Sequence, residues 1–256
     1  MKKKKAVLDK CAPSQNQSPT IPISLAVFVR LLKKLASKPE YNGIRVYFAC
    51  YPDRPVKGGL VPPKQGGQLT LLFVPTRPVA GWVTGVDDPD QYYYLYEDQL
   101  HHLPTPGTVD IDKDHVTSWI SHYRNDRVNA LQADGGNGFT ETCSLWYSMV
   151  SIKGGPGENG LIKFIACMKA YKPNPVIGLS VQLAAFTHDD PPKFPFYQLS
   201  LIFDLVQEHD TKGSNLLAFG SGSLPLRDNP ADTGIPCPPA TNCPGSGFAA
   251  SVTIQK

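Results

Sequence analysis

An α/β or α+β fold, with a predominantly antiparallel sheet and helices packed on one face, is what this sequence predicts, and three observations lead there. Two runs rich in β-branched and aromatic residues, Ile44–Tyr51 and Leu69–Thr76, follow one another across a Pro/Gly-rich loop, and sequential strands commonly neighbour one another. Two further segments, opening at Leu25 and Val116, carry apolar residues at helical spacing. Asn42–Cys50 also aligns with Asn159–Cys167, sharing Asn, Gly, Ala and Cys, so two similar halves are one architecture that the sequence suggests.

Taken in order, residues 1–20 form a basic, Ser/Gln/Pro-containing tail. The first α/β half spans 21–108. Ser24 is placed to cap a helix whose Leu25, Phe28, Val29, Leu32 and Leu35 share one face while Arg30, Lys33 and Lys34 point out. The basic residues near its end suit the helix dipole. Tyr41-Asn42-Gly43 turns the chain into the first strand, and the second strand ends near Thr76. Residues 78–107 mix Gly, Pro, Asp and tyrosines, which predicts a long connection with little regular structure and a candidate boundary.

The second half spans 109–209. Asp110, Asp112 and Asp114 precede Val116, Trp119, Ile120, Tyr123 and Val128, a helix with acids at its positive end. Leu145–Val150 and Leu161–Met168 are strong apolar runs, whereas Ile177–Phe186 and Tyr197–Val206 fit a strand or a helix equally well. Residues 210–256 are rich in Gly, Ser, Pro and Asp and read as an extended, loop-like tail.

Composition narrows the function classes. With 256 residues, 41% hydrophobic and 18% charged, the chain is globular, and 25 prolines with 22 glycines make it loop-rich. The net charge of +3 comes partly from Lys2–Lys5, so no nucleic-acid footprint is expected. After those lysines only Ala6, Val7 and Leu8 precede Asp9 and Lys10, short of the ~7–15 apolar residues of a secretory signal. The charged pair before Cys11 argues against a lipoprotein cysteine. No stretch reaches the ~18 apolar residues of a membrane span. The expectation is a cytoplasmic protein, the alternative being secretion by a route without a classical signal peptide.

The helix Trp119-Ile120-Ser121-His122-Tyr123-Arg124, the strand Gly43-Ile44-Arg45-Val46-Tyr47-Phe48-Ala49, the strand ending Val74-Pro75-Thr76 and the tail Cys237-Pro238-Pro239 with Cys243 together resemble a family of uncharacterised bacterial proteins. That family combines a W-I-x-x-Y-R helix, a G-I-R-[IV]-Y-[FY] strand and a C-P-P-x-C tail. Here the helix follows the strand instead of preceding it, the tail cysteines have five residues between them, and the chain is longer. The resemblance covers about a third of the chain and implies a fold, not an activity.

No pattern carries a recognisable chemistry. Asp110-x-Asp112-x-Asp114 has calcium-loop alternation, but His115 and Ser121 stand where Gly and Glu are required, leaving helix-terminal acids as the reading. His101-His102 and Cys237 with Cys243 lack zinc-site spacing; the two cysteines form a local disulfide or remain thiols. Gly155-x-Gly157-x-x-Gly160 runs into a strand-like segment rather than a helix, against a phosphate cradle. Gly220-Ser221-Gly222-Ser223 is not a nucleophile elbow. Neither a metal nor a cofactor is expected.

The most unusual composition is Tyr92, Tyr93, Tyr94 and Tyr96 below Trp82. Such residues enrich recognition surfaces, and Tyr92, Tyr94 and Tyr96 also suit one face of a strand. Trp82, Tyr92, Tyr94 and Tyr96 are therefore the candidate binding residues. The expected function is a non-enzymatic protein-binding or assembly protein. The alternatives are a hydrolase-type enzyme with a site assembled from distant residues, or a carbohydrate-binding module stacking sugars on exposed Trp and Tyr.

Overall fold

The computed structural model describes residues 20–52, 66–80, 82–96, 99–103, 113–131, 143–153, 162, 176–185, 199–207, 217–218 and 235–237. After a short strand β1 (Thr20–Ile23) comes helix α1 (Leu25–Ala36), which buries Leu25, Phe28, Leu31, Leu32 and Leu35 and carries Lys33 and Lys34 in its last turn. Ser24 sits at the N-cap and its carbonyl accepts from the Phe28 N–H at 2.9 Å, but its side chain makes no cap bond.

Strands β2 (Gly43–Cys50) and β3 (Leu69–Val79) pair antiparallel, from Gly43 opposite Thr76 to Cys50 opposite Leu69. They form the centre of a larger antiparallel sheet. The region 78–107 differs from its expectation: it supplies β4 (Trp82–Asp87), β5 (Tyr92–Tyr96) and β6 (Gln99–Leu103) to this sheet. Its Gly, Pro and Asp do not dissolve the strands; they sit where the strands bulge. Asp87 faces Thr76 and Tyr93 faces Phe73, so β4 and β5 follow one edge of β3 and the residues between them bulge out.

Beyond β6 the chain forms α2 (Lys113–His122), which runs on through a π-helical turn at Tyr123–Val128. Strand β7 (Ser144–Ser148) lies against β2 and leads directly into α3 (Met149–Lys153). The two runs that fitted strand or helix are strands, β8 (Val176–Ala185) and β9 (Leu199–Gln207), paired with each other. With β1 and β10 (Leu217–Ala218) they make a second sheet in the order β1-β8-β9-β10. Finally β11 (Ile235–Cys237) pairs with β7, giving the larger sheet the order β11-β7-β2-β3-β5-β6 with β4 also on β3. Strands from both sides of residue 108 thus share one sheet. Of the Asn159–Cys167 half of the internal match, only Ile162 is among the described residues.

Every residue of β2 is buried, which requires cover on both faces. Ile44, Val46, Phe48 and Cys50 join α1 in one core, which extends to Ile21, Leu179, Val181 and Leu201 of the second sheet. Tyr47, Ala49 and Tyr51 join Val116, Trp119 and Ile120 of α2 in another. The fold is α+β with an antiparallel sheet, and its two longer helices divide between the faces. Trp119 packs edge-on against Tyr51 at 5.0 Å, and Phe28 meets Phe73 at 5.9 Å, the geometry aromatic pairs prefer. No helix among the described residues is long and apolar enough to cross a membrane.

Candidate functional site

Arg45 is out of place in β2 by composition, because a guanidinium fully removed from water costs several kcal/mol unless it is paired and hydrogen-bonded. It is 0% exposed. Strand alternation puts Gly43, Arg45 and Tyr47 on one face, and β4 brings the compensating groups to them. Arg45 Nη1 donates to Asp87 Oδ1, Nη2 donates to Gly85 O at 3.2 Å and to Thr84 Oγ1 at 3.4 Å, and the Tyr47 hydroxyl donates to Asp87 Oδ2. Arg45 Nε has no hydrogen-bond partner among the described residues.

This arrangement depends on Gly85. Arg77 faces Val86 but Val79 faces Trp82, so β4 holds extra residues around Thr84 and Gly85 and turns them inward. Gly85 has φ +65°, and a Cβ there would lie 2.5 Å from Arg77 O and from Asn42 Oδ1, so only glycine suits the position. Neighbouring polar groups close the layer. Trp146 Nε1 donates to Thr76 Oγ1 at 2.9 Å, and Thr76 Oγ1 donates to Asn42 Oδ1 at 2.8 Å. The indole fits because position 43 has no Cβ, which would approach Trp146 Nε1 to 2.4 Å.

Asp88 anchors the same end of the sheet through other partners. Its Oδ2 accepts from the Tyr41 hydroxyl at 2.7 Å and from Arg77 Nη2 at 2.8 Å, while Oδ1 accepts from the Asp90 N–H at 3.1 Å. Burial pushes the Asp88 carboxyl up, but the Tyr41 hydroxyl, the Asp90 N–H and the Arg77 guanidinium outweigh it and hold the carboxyl below its ordinary value. Burial first, and then Asp88, push the Tyr41 hydroxyl well above its own. The backbone is fixed as well, since the Asp88 N–H donates to Pro75 O at 2.8 Å and the Asn42 N–H to Thr76 O at 2.9 Å.

What these anchors hold is an arm. β2 begins at Gly43, opposite Thr76, while β3 runs on to Val79 with β4 beside it. Arg77, Pro78, Val79 and Ala80 are all exposed. On the other side of β2, β7 leaves Gly43 at Ser148 and turns into α3, where the Met149 N–H donates to Asn42 O at 2.7 Å. Since β3 and β7 flank β2, they lie about 10 Å apart here. Val79 and Val150, 39% and 60% exposed, are the exposed large hydrophobics among the described residues, and both belong to this end of the sheet. Pro78 removes a backbone donor from the arm, which disfavours addition of a further strand and leaves side chains to make contacts.

The predicted site residues separate. Trp82 opens β4 at the register position opposite Val79, in the arm. Tyr92 and Tyr94 are 4% and 2% exposed and belong to the core with α2. That corrects the expectation of an exposed aromatic platform for these two: Tyr94 stacks on His101 at 5.3 Å and meets Trp119 edge-on at 5.9 Å. Tyr96 occupies the register position opposite Gln99. His101 and His102 do not converge but stack on Tyr94 and Tyr93 across the strand pair. Asp114 lies in the first turn of α2, while Asp110, Asp112, the 154–160 glycine segment and Ser221 lie outside the described residues. Cys237 is a register position of β11 opposite Ser144, and its candidate disulfide partner Cys243 lies outside the described residues.

Arg45, Tyr41, Asp87, Asp88 and Val150 were not singled out by the sequence. Signals for Arg45, Asp87 and Asp88 are present in it: an arginine inside an otherwise apolar strand, and adjacent aspartates at the end of a strand-like run. No protein family model, curated protein or solved structure matches this chain.

Proposed function

We propose that this is a non-enzymatic protein-binding or assembly protein that docks a protein partner through the end of the sheet formed by the β3–β4 arm and α3. The observation that carries this reading is that Val79 and Val150, the exposed large hydrophobics among the described residues, occur at one end of the sheet, the β3–β4 arm being fixed there by the buried Arg45–Asp87 pair and α3 by the Met149 N–H bond to Asn42 O. A rigid arm loses little conformational entropy on binding, so its apolar contacts translate into affinity. Arg45, Tyr47 and Asp87 are buried at 0%, 0% and 4% exposure. In that state they touch no substrate, so their part in this reading is to anchor the arm. A cytoplasmic setting belongs to the same reading; Cys50 and Cys143 lie buried in the core, where a cysteine behaves as a small hydrophobe.

The test is affinity capture from the native host with the intact chain and with Val79→Asp/Val150→Asp. Both changes fall on exposed side chains, so the double variant keeps the wild-type melting temperature. Loss of a stoichiometric partner in that variant supports the reading. Equal capture by both chains, or no stoichiometric partner for either, refutes it.

A further inference from the structure

Helix α1 and the short helix α3 lie on the same face of the larger sheet and pack against one another, Met149 and Ile152 of α3 sharing a core with Phe28, Leu32 and Leu35 of α1. Their outward surfaces are cationic. α1 exposes Arg30, Lys33 and Lys34, α3 exposes Val150 and Lys153, and neither helix contains Asp or Glu. The strand order β7-β2-β3-β5 puts α3, which follows β7, on one flank of α1 and β5 on the other. Lys34 takes the β5 flank, its Nζ lying 5.6 Å from the centre of the Tyr93 ring. Lys33, roughly 100° around the helix from Lys34, shares the opposite flank with Val29 and Ala36, which pack against the core. That flank is the one beside α3.

We propose that the α1–α3 face binds an acidic polypeptide segment of the partner, with an apolar side chain on Val150 and carboxylates on Lys33, Arg30 and Lys153. This rests on the docking reading above and gives the partner of that end of the sheet its charge. The helix dipoles account for cations in the last turns, Lys33 and Lys34 of α1 and Lys153 of α3. They do not account for Arg30, a turn earlier, or for Val150, 60% exposed among those cations. Arg30 stands four residues from Lys34, and like charges at that spacing repel. Among the described residues no carboxylate pairs with Arg30, Lys33 or Lys153; Glu40, beyond the end of α1, lies 4.0 Å from Lys38. Carboxylates brought by a partner relieve that repulsion and complement a field of one sign, while the valine offers the apolar contact. An anionic membrane needs a helix with its apolar face turned outward, and α1 turns its apolar face into the core.

Fluorescence anisotropy of the full chain with two labelled peptides tests this at low salt: Glu-Glu-Leu-Glu-Glu-Leu-Glu-Glu, and the same peptide with Gln for every Glu. An exposed charge pair is worth up to about fivefold in affinity, so three such pairs give the acidic peptide a preference of about tenfold or more. Lys33→Gln and Lys153→Gln each weaken its binding by about two- to fivefold, and Val150→Asp abolishes it. Asn125→Asp, an equal change of charge on the exposed π-helical turn after α2, leaves it. Equal affinity for the two peptides, or equal weakening by Asn125→Asp, overturns the proposal. Sedimentation with phosphatidylserine–phosphatidylcholine vesicles that Lys33→Gln abolishes also overturns it and assigns the face to a membrane. Affinity capture separates this inference from the docking reading. A partner lost from Val79→Asp/Val150→Asp but kept by Lys33→Gln/Lys153→Gln overturns the acidic segment and leaves the docking reading standing, whereas absence of any partner overturns the docking reading itself.

Discussion

Replacing Asp87 with Asn keeps the shape of the side chain and removes its charge, which makes it a sharp probe of the arm's anchor. Arg45 is 0% exposed and its carboxylate partner is Asp87, the other contacts being a neutral carbonyl and a hydroxyl. Asp87→Asn therefore strands a buried guanidinium, a change that typically costs about 3–5 kcal/mol. For a chain of this length each kcal/mol lowers Tm by about 2–4 °C, so a fall of about 6–20 °C is expected. Adding Arg45→Met removes the orphaned charge, and since a buried ion pair is often replaceable by apolar groups at little net cost, the double variant recovers most of the loss. Urea unfolding followed by fluorescence of the buried Trp119 and Trp146 measures the wild type, Asp87→Asn, Arg45→Met and the double variant. If Asp87→Asn loses less than about 1 kcal/mol, or if the double variant loses the sum of the two single losses, the pair is not the coupled anchor described.

Three further outcomes follow from the same geometry. Gly85→Ala forces a Cβ onto Arg77 O and Asn42 Oδ1 at φ +65°; strain of this kind costs about 1–3 kcal/mol, and differential scanning calorimetry should show the lowered Tm. Gly43→Ala drives a methyl group into the Trp146 indole, so near-ultraviolet circular dichroism should change at tryptophan wavelengths. The Asp88 carboxyl, held below its ordinary 3.8, contributes stability that is present above that value and lost as pH falls through the depressed one. Asp88→Asn should therefore flatten the acid limb of the stability curve, read by urea midpoints between pH 5 and pH 2.

Local patterns in the sequence were enough for the elements whose burial follows from periodicity. Leu25, Phe28, Leu32 and Leu35 repeat at helical spacing and form α1; Ile44–Cys50 and Leu69–Thr76 are β-rich and form the central pair. The 78–107 region was misread because its turn-forming residues serve strands: Gly85 supplies the positive φ of a bulge, and Asp88-Pro89-Asp90-Gln91 bridges β4 and β5. Composition cannot separate a loop from a bulged strand when the deciding partner, β3, is remote. Alternation placed the tyrosines of β5 correctly on strand faces but could not say that α2 would cover Tyr92 and Tyr94. Arg45 escaped notice for the same reason, since its partner Asp87 lies 42 residues away. Trp82 was found by type, and only the register opposite Val79 places it in the arm. Val150 of α3 carried no signal of its own, because one exposed valine in an apolar run is indistinguishable from its buried neighbours.

The central claim is that a partner docks on the end of the sheet around the arm. Site-specific photo-crosslinking inside the native host, with the photoreactive residue at Ala80 and a control at Asn125, exposed on the π-helical turn after α2, addresses it directly. One discrete adduct from position 80, absent from position 125 and lost when Val79→Asp is introduced alongside it, is the predicted result. An adduct pattern that is the same from both positions, or that survives Val79→Asp, would contradict the claim.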